Sequence, residues 1–205
     1  NEPRLYSYGF DKYNISYRTG ISNAELISSG RQIRSYFNDD TELLDVQVVI
    51  GGLKRSIYNQ REVLHMKDVK ALVQGTYRVQ EASGGYILAF ALIGLFMGKI
   101  AFLRQLFKYT LVGSFLSSGL VVLVGSISLV GFDQLFTSFH IISFSNDLWQ
   151  LDPRTDVLIM MFPESFFLDA TLLIGIATLI ESFFVGGISL VGLKWSRKPL
   201  VSTTE

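Results

Sequence analysis

Apolar and polar residues fall in long blocks along this chain. Residues 110–132 carry no charged side chain, and residues 84–98 carry none either. The second of these runs extends to Leu103 with Lys99 as its interruption, and residues 170–193 hold one charge, Glu181. A helix that crosses a bilayer needs roughly 20 apolar residues. The pattern therefore predicts three transmembrane helices, at 84–103, 110–132 and 170–193.

The segments between and before these runs have shorter periods. Residues 1–20, with Tyr6, Tyr8, Tyr13 and Tyr17, read as extended or irregular. The tyrosines fit either an interfacial aromatic belt or ordinary packing of a small domain. Asn14-Ile15-Ser16 matches a glycosylation sequon, a triplet too common to carry weight. Ser22-Asn23-Ala24-Glu25 resembles a capping box, and Leu26, Ile27, Ile33 and Phe37 follow at helical spacing up to Asn38-Asp39-Asp40. Residues 44–50 read as a strand closed by Gly51-Gly52, with 53–58 either pairing to it or turning. A helix is expected from His65, with Asp68 in its first turn, ending at Ser83-Gly84-Gly85. In 133–169, Asp133 is expected to cap one short helix and Asp156 a second, Val157 to Phe162, before Pro163.

Charge orients these blocks. Lys99, Arg104 and Lys108 lie between the first two apolar runs, and Lys194, Arg197 and Lys198 follow the last. Residues 133–169 hold six acids against the single base Arg154. The positive-inside rule places 99–109 and the C-terminus in the cytoplasm, and residues 1–83 and 133–169 outside. An exported segment of that length implies a cleaved signal peptide or a leading anchor helix, of which the second is preferred. Four domains result: 1–83, extracellular; 84–132, two spans and a basic cytoplasmic loop; 133–169, an extracellular interfacial segment; and 170–205, the last span and tail.

Composition narrows the chemistry. Of 205 residues, 18 are basic and 18 acidic, which gives no basic surplus to propose nucleic acid as a partner. There are no cysteines, so disulfides and thiolate chemistry are excluded. No Gly-x-Ser-x-Gly elbow occurs. The serines of the second span (Ser114, Ser117, Ser118, Ser126, Ser128), with Gly113, Gly119 and Gly125, are expected to permit close helix packing. Glu181 reads equally as a functional intramembrane acid or as a partner for Ser or Thr on a neighbouring helix.

Imidazole chemistry rests on two residues, His65 and His140, both expected outside and near the bilayer. Two imidazoles can divide base and acid work because their ordinary pKa lies near neutrality. The bland reading is two unrelated polar residues. A metal site built from His65, Asp68, His140 and Asp156 is the other alternative, but no tight ligand motif supports it. No cofactor is expected.

The stretch Arg61-Glu62-Val63-Leu64-His65-Met66-Lys67-Asp68-Val69 forms one motif. Phe139-His140 through Asn146-Asp147-Leu148-Trp149, with Leu151-Asp152-Pro153, Asp156 to Ile159 and Phe162-Pro163-Glu164, forms another. Together they resemble the lipoprotein intramolecular transacylase family of Gram-positive bacteria. The resemblance implies a mainly α fold: a polytopic membrane helix bundle, three spans here and four in the family, with a small mixed α/β extracellular domain. It implies a plasma-membrane acyltransferase with its site on the extracellular face. The substrate would be a diacylglyceryl lipoprotein, whose sn-2 acyl chain moves to the α-amine of its N-terminal cysteine. The product would be lyso-form lipoprotein. The family's paired histidines fall on His65 and His140. Asp68 would orient His65, Asn146 would donate to a carbonyl oxygen, and Trp149 would sit against a glyceryl or acyl group. The sequence leaves open which histidine is the base and what the oligomeric state is. A non-enzymatic membrane protein with a partner-binding outer domain and a metal-dependent membrane hydrolase are the rival functions.

Overall fold

The computed structural model describes residues 3–196, with Pro3 and Lys99 described by backbone alone. The basic tail residues Arg197 and Lys198 lie outside the described residues. The chain is mainly helical and divides into two units. One joins the residues up to Val79 with Gly131–Ala170; the other joins Gln80–Val130 with the chain from Thr171 onward.

The first unit begins with two helices, α1 (Pro3–Lys12) and α2 (Ile15–Thr19), where an extended segment is expected. The reason lies in the spacing of Tyr6, Phe10 and Tyr13 at i, i+4 and i+7, which makes one helical stripe. Tyr6 and Phe10 each meet the Phe162 ring at 5.7 Å, and the Tyr13 hydroxyl donates to the Ser165 carbonyl at 2.9 Å. Lys12 pairs with Asp169 at 2.6 Å. Tyr8 and Tyr17 remain exposed, while Tyr6 and Tyr13 pack in the unit.

Helix α3 (Asn23–Asn38) starts where the cap is expected: the Ser22 hydroxyl accepts from the Glu25 amide. The reciprocal half of the box does not form, because the Glu25 carboxylate instead accepts from the Val49 amide at 3.1 Å. That bond, with two between Gln32 and Gln47, lays α3 along the outer edge of β1 (Gln47–Ile50). β1 pairs antiparallel with β2 (Leu53–Ser56) through Gly51 and Gly52, both at positive φ. Positive φ at both centre positions is what a tight two-residue hairpin turn demands. This one hairpin is the entire sheet among the described residues, so the unit is mostly helical rather than a balanced α/β domain.

Helix α4 covers Gln60–Ser143. Its start is a full capping box: Asn59 accepts from the Glu62 amide while the Glu62 carboxylate accepts from the Asn59 amide. The expected start at His65 is thus too late by more than a turn. Asp68 is accordingly in the third turn, beyond the reach of the N-terminal dipole. The expected stop at Ser83-Gly84-Gly85 does not occur either, since two glycines weaken a helix without obliging it to end.

Eighty-four residues of straight helix would extend about 126 Å at 1.5 Å per residue. The helix instead folds back on itself, since His65 and His140 meet in space, and its two apolar stretches fall in the arms Gln60–Gly98 and Ile100–Ser143. The Phe102 ring lies 5.4 Å from Phe90 and fills the space that a side chain at Gly94 would need. The loop expected over 99–109 does not form, because these positions, Arg104 and Lys108 among them, are helical. Asp133 caps nothing, because the returning arm passes through it to Ser143.

The two arms and α6 (Glu164–Trp195) are three helices long and apolar enough to cross a membrane. Their apolar side chains face outward, as Phe96 (88% exposed), Ile87 and Phe183 do. That is the inverse of a soluble core and the arrangement hydrocarbon favours. In this second unit α6 runs antiparallel to the returning arm. Gly175 meets Val121, Gly186 meets Ser114, Gly192 meets Phe107, and the Ser182 hydroxyl donates to Ser117 at 3.5 Å. The close-packing glycines are therefore those of α6. Gly113, Gly119 and Gly125, which share a span with the serines, face open space. Glu181 is exposed on α6, where no Ser or Thr bond to it forms.

Candidate functional site

Both histidines lie in the first unit, near the two ends of α4. Their rings are 6.1 Å apart between centroids, and each is buried. Seventy-five positions separate them in sequence, and the folding back of α4 is what joins them.

The two environments differ in a way that assigns protons. The Nδ1 of His140 lies 2.7 Å from the Phe136 carbonyl oxygen. A carbonyl only accepts, so Nδ1 carries the hydrogen and Nε2 keeps its lone pair. Around this ring stand Phe136 at 4.4 Å, Trp149 at 5.0 Å, Phe139 at 5.4 Å and Phe144 at 5.7 Å. His65 lies in the polar opening turns of α4, ahead of the apolar stretch, with Phe144 edge-on at 5.3 Å. Its Nδ1 is buried and has no hydrogen-bond partner in the protein. Burial, and then the proximity of His140, hold its pKa down at about 4, so His65 is neutral at neutral pH.

That displacement has a consequence for stability. Unfolding returns His65 to its ordinary value near 6.5, so between pH 6.5 and about 4 the unfolded chain binds the extra proton. The contribution is complete above pH 6.5 and declines as the pH falls through that window. Thermal unfolding from pH 7.5 to 4 is expected to show this decline, and His65→Phe, which binds no proton, is expected to flatten it. Equal slopes in the two proteins would assign the loss to other groups.

The remaining sequence candidates separate. Asp68 does not bond His65; its carboxylate accepts from the Asn146 side chain at 2.8 Å. Asn146 also accepts from the Leu148 amide at 3.0 Å, so it is engaged in shaping its own turn. Trp149 covers His140. Asp156 is buried elsewhere, accepting from Asn59 at 2.9 Å and from the Asp152 amide at 2.7 Å, without bonding the first turn of α5 (Val157–Met161). Glu62 takes over that capping role: its carboxylate accepts from the Leu158 amide at 2.6 Å. Burial pushes the Glu62 carboxyl up, and the bonds from Leu158 and Asn59 draw it back. Among the described residues no three His, Asp or Glu side chains converge as a metal site, so the ligand set of the metal alternative is not assembled.

Sequence reasoning passed over Arg61 and Glu62 as site-shaping residues. The signals were present: Asn59-x-x-Glu62 is a capping box, and Arg61, His65 and Asp68 sit at i, i+4 and i+7, on one helix face. Arg61 donates to the carbonyls of Asp147 and, at 3.4 Å, Leu148.

The helices define a membrane protein, and its first unit holds a buried histidine pair. The chain shares its fold with a solved structure, the membrane-integral lipoprotein intramolecular transacylase Lit of Bacillus cereus. The two are 22% identical with a TM-score of 0.77, over 94% of this chain and 84% of that one. A histidine-to-arginine variant of the same Bacillus cereus protein matches with a TM-score of 0.70 at 23% identity, over 94% and 80%. A histidine-to-alanine variant matches at 0.67 and 22%, over 94% and 82%. No curated protein matches the chain. A family model described as lipoprotein intramolecular transacylase Lit matches residues 1–167. The chain belongs to that family: it is a bacterial membrane enzyme, a lipoprotein intramolecular transacylase.

Proposed function

We propose that the enzyme moves the sn-2 acyl chain of a diacylglyceryl lipoprotein to the α-amine of the lipoprotein's N-terminal cysteine. His140 acts as the base and His65 as a neutral hydrogen-bond donor. The observation that carries this reading is the pair itself: two buried imidazoles 6.1 Å apart, one with Nδ1 tied to the Phe136 carbonyl.

An α-amine has a pKa of about 7.7–8.0 and is mostly protonated at neutral pH. Its proton must leave before nitrogen can attack the ester. That first proton is released to water, and His140 Nε2 takes the second as the carbon–nitrogen bond forms. The ring N–H of neutral His65 donates to the oxyanion. When the ester carbon–oxygen bond breaks, the proton held on His140 passes to the departing glyceryl oxygen. Bonds and protons balance without an enzyme-bound intermediate, because nucleophile and ester belong to one molecule and proximity is supplied by the substrate. A lipid-borne ester also places the reaction at the membrane surface. The basic residues Arg104 and Lys108 support an outward orientation of the histidine end. Membrane lipid is then a neighbour of the site.

The test uses a reporter lipoprotein carrying distinguishable acyl chains at sn-1 and sn-2, incubated with the purified enzyme. Mass spectrometry is expected to find the sn-2 chain as an N-terminal amide and a free hydroxyl at sn-2. Recovery of the sn-1 chain on nitrogen, or release of free fatty acid in place of the amide, would overturn the proposed reaction.

A further inference from the structure

Three side chains on one face of α4 bracket the site. Arg61 lies one turn before His65 and Asp68 one turn after it. Both hold the same short segment, residues 144–149, which crosses above His65. Asp68 takes the Asn146 amide at 2.8 Å, while Arg61 reaches the Asp147 and Leu148 carbonyls. The segment delivers a ring to each imidazole, Phe144 at 5.3 Å from His65 and Trp149 at 5.0 Å from His140.

We propose that Arg61 is a positioning residue for the transacylation: it fastens the 144–149 strap from the solvent side, and the fastened strap holds Trp149 against His140. This rests on the reading of His140 as the base, but it concerns how that base is held. Arg61 is exposed, and both its acceptors are main-chain carbonyls. Those partners identify its task. A guanidinium holds two carbonyls in fixed geometry, which fixes backbone position whatever side chains the strap carries. Asp68–Asn146 makes the second anchorage, so the strap is held on both sides of His65 and cannot pivot about either bond. The residue whose place depends on this is Trp149, which follows the Arg61-held carbonyls immediately and covers the ring that must stay in register with the substrate amine.

The chain's two tryptophans make the strap directly observable. In a Trp195→Phe background, emission reports Trp149 alone. Arg61→Ala is expected to shift that emission to the red, as the indole leaves the His140 ring for water. It is expected to lower kcat about 10–100-fold with a smaller change in KM, the range that displacement of a reacting group produces. Arg61→Lys, with one point donor in place of a fork, is expected to restore both readouts in part. Helical content by circular dichroism is expected to stay at the parent level; Arg61→Gln, which keeps an amide donor, serves should Arg61→Ala fail to fold. Lower kcat with Trp149 emission unchanged would mean that Arg61 meets the substrate itself, and would overturn the positioning role, as would unchanged emission and unchanged kcat. If histidine replacements left activity intact, the His140 reading would fail, while the emission shift in Arg61→Ala would still report the strap.

Discussion

Replacing His140 with alanine is expected to lower lyso-form production by about 10²–10⁴-fold, the range that a positioned general base contributes. That loss corresponds to roughly 2.7–5.5 kcal/mol of transition-state stabilisation. The Phe136 carbonyl at 2.7 Å fixes the tautomer of the neutral ring and leaves Nε2 as its basic nitrogen. His65→Ala is expected to cost about 10²–10³-fold, as removal of one oxyanion donor does. The two losses should not add, because residues that serve one transition state fail together. Added imidazole is expected to recover part of the activity of His140→Ala, since the missing function is proton transfer, and less of His65→Ala, where a placed donor is missing. The measurement is product formation by mass spectrometry under single-turnover conditions. Undiminished product from either alanine variant sinks the assigned chemistry.

The sequence disclosed the parts of this site better than their arrangement. Three apolar runs were readable because hydrocarbon allows no scatter of charge, so the absence of charge is itself the signal. The folding back of α4 is not readable. Positive charge within the run reads as the start of a loop, yet the chain stays helical there, with Phe102 packed across Gly94 and Gly98. The continuation of α4 through Gly84 and Gly85 was hidden for a related reason, since glycine signals a weak helix rather than an ended one. The amphipathic stripe of α1 was masked by tyrosines, whose rings bury while their hydroxyls reach acceptors such as Ser165 and Asp169. The histidines were legible as candidates because only two exist. Their proximity depends on matched lengths of the two arms, a quantity no local pattern contains. The acids separated along the same line. Asp68 and Asp156 looked alike in sequence, but one fastens the strap beside the site and the other closes a turn at Asn59.

Glu62→Ala is expected to be the most destabilising single change in the first unit. Glu62 is 1% exposed and stands at the third position of α4. One carboxylate oxygen accepts from the Asn59 amide at 2.7 Å, and the other from the Leu158 amide, 96 residues further along, at 2.6 Å. Alanine leaves the buried Leu158 amide without an acceptor, at about 1–3 kcal/mol, and removes the bond of the more accessible Asn59 amide, at about 0.5–1.5 kcal/mol. A loss of roughly 1.5–4.5 kcal/mol is large against the 5–15 kcal/mol that holds a typical domain folded. For a chain of this size it corresponds to a fall of about 3–18 °C in the unfolding midpoint. The damage also spreads by a definite route. Leu158 lies in α5, α5 leads to Phe162 and Phe166, and those rings seat Tyr6 and Phe10 of α1. Glu62→Gln separates the electrostatic share from the steric one. Its amide oxygen still serves one N–H, but its NH₂ faces the other, so an intermediate fall is expected. Thermal unfolding of the three proteins in one detergent decides the matter. A midpoint for Glu62→Ala within about 2 °C of the parent, the shift of less than 1 kcal/mol at this size, would show that the buried carboxylate does not tie α4 to α5.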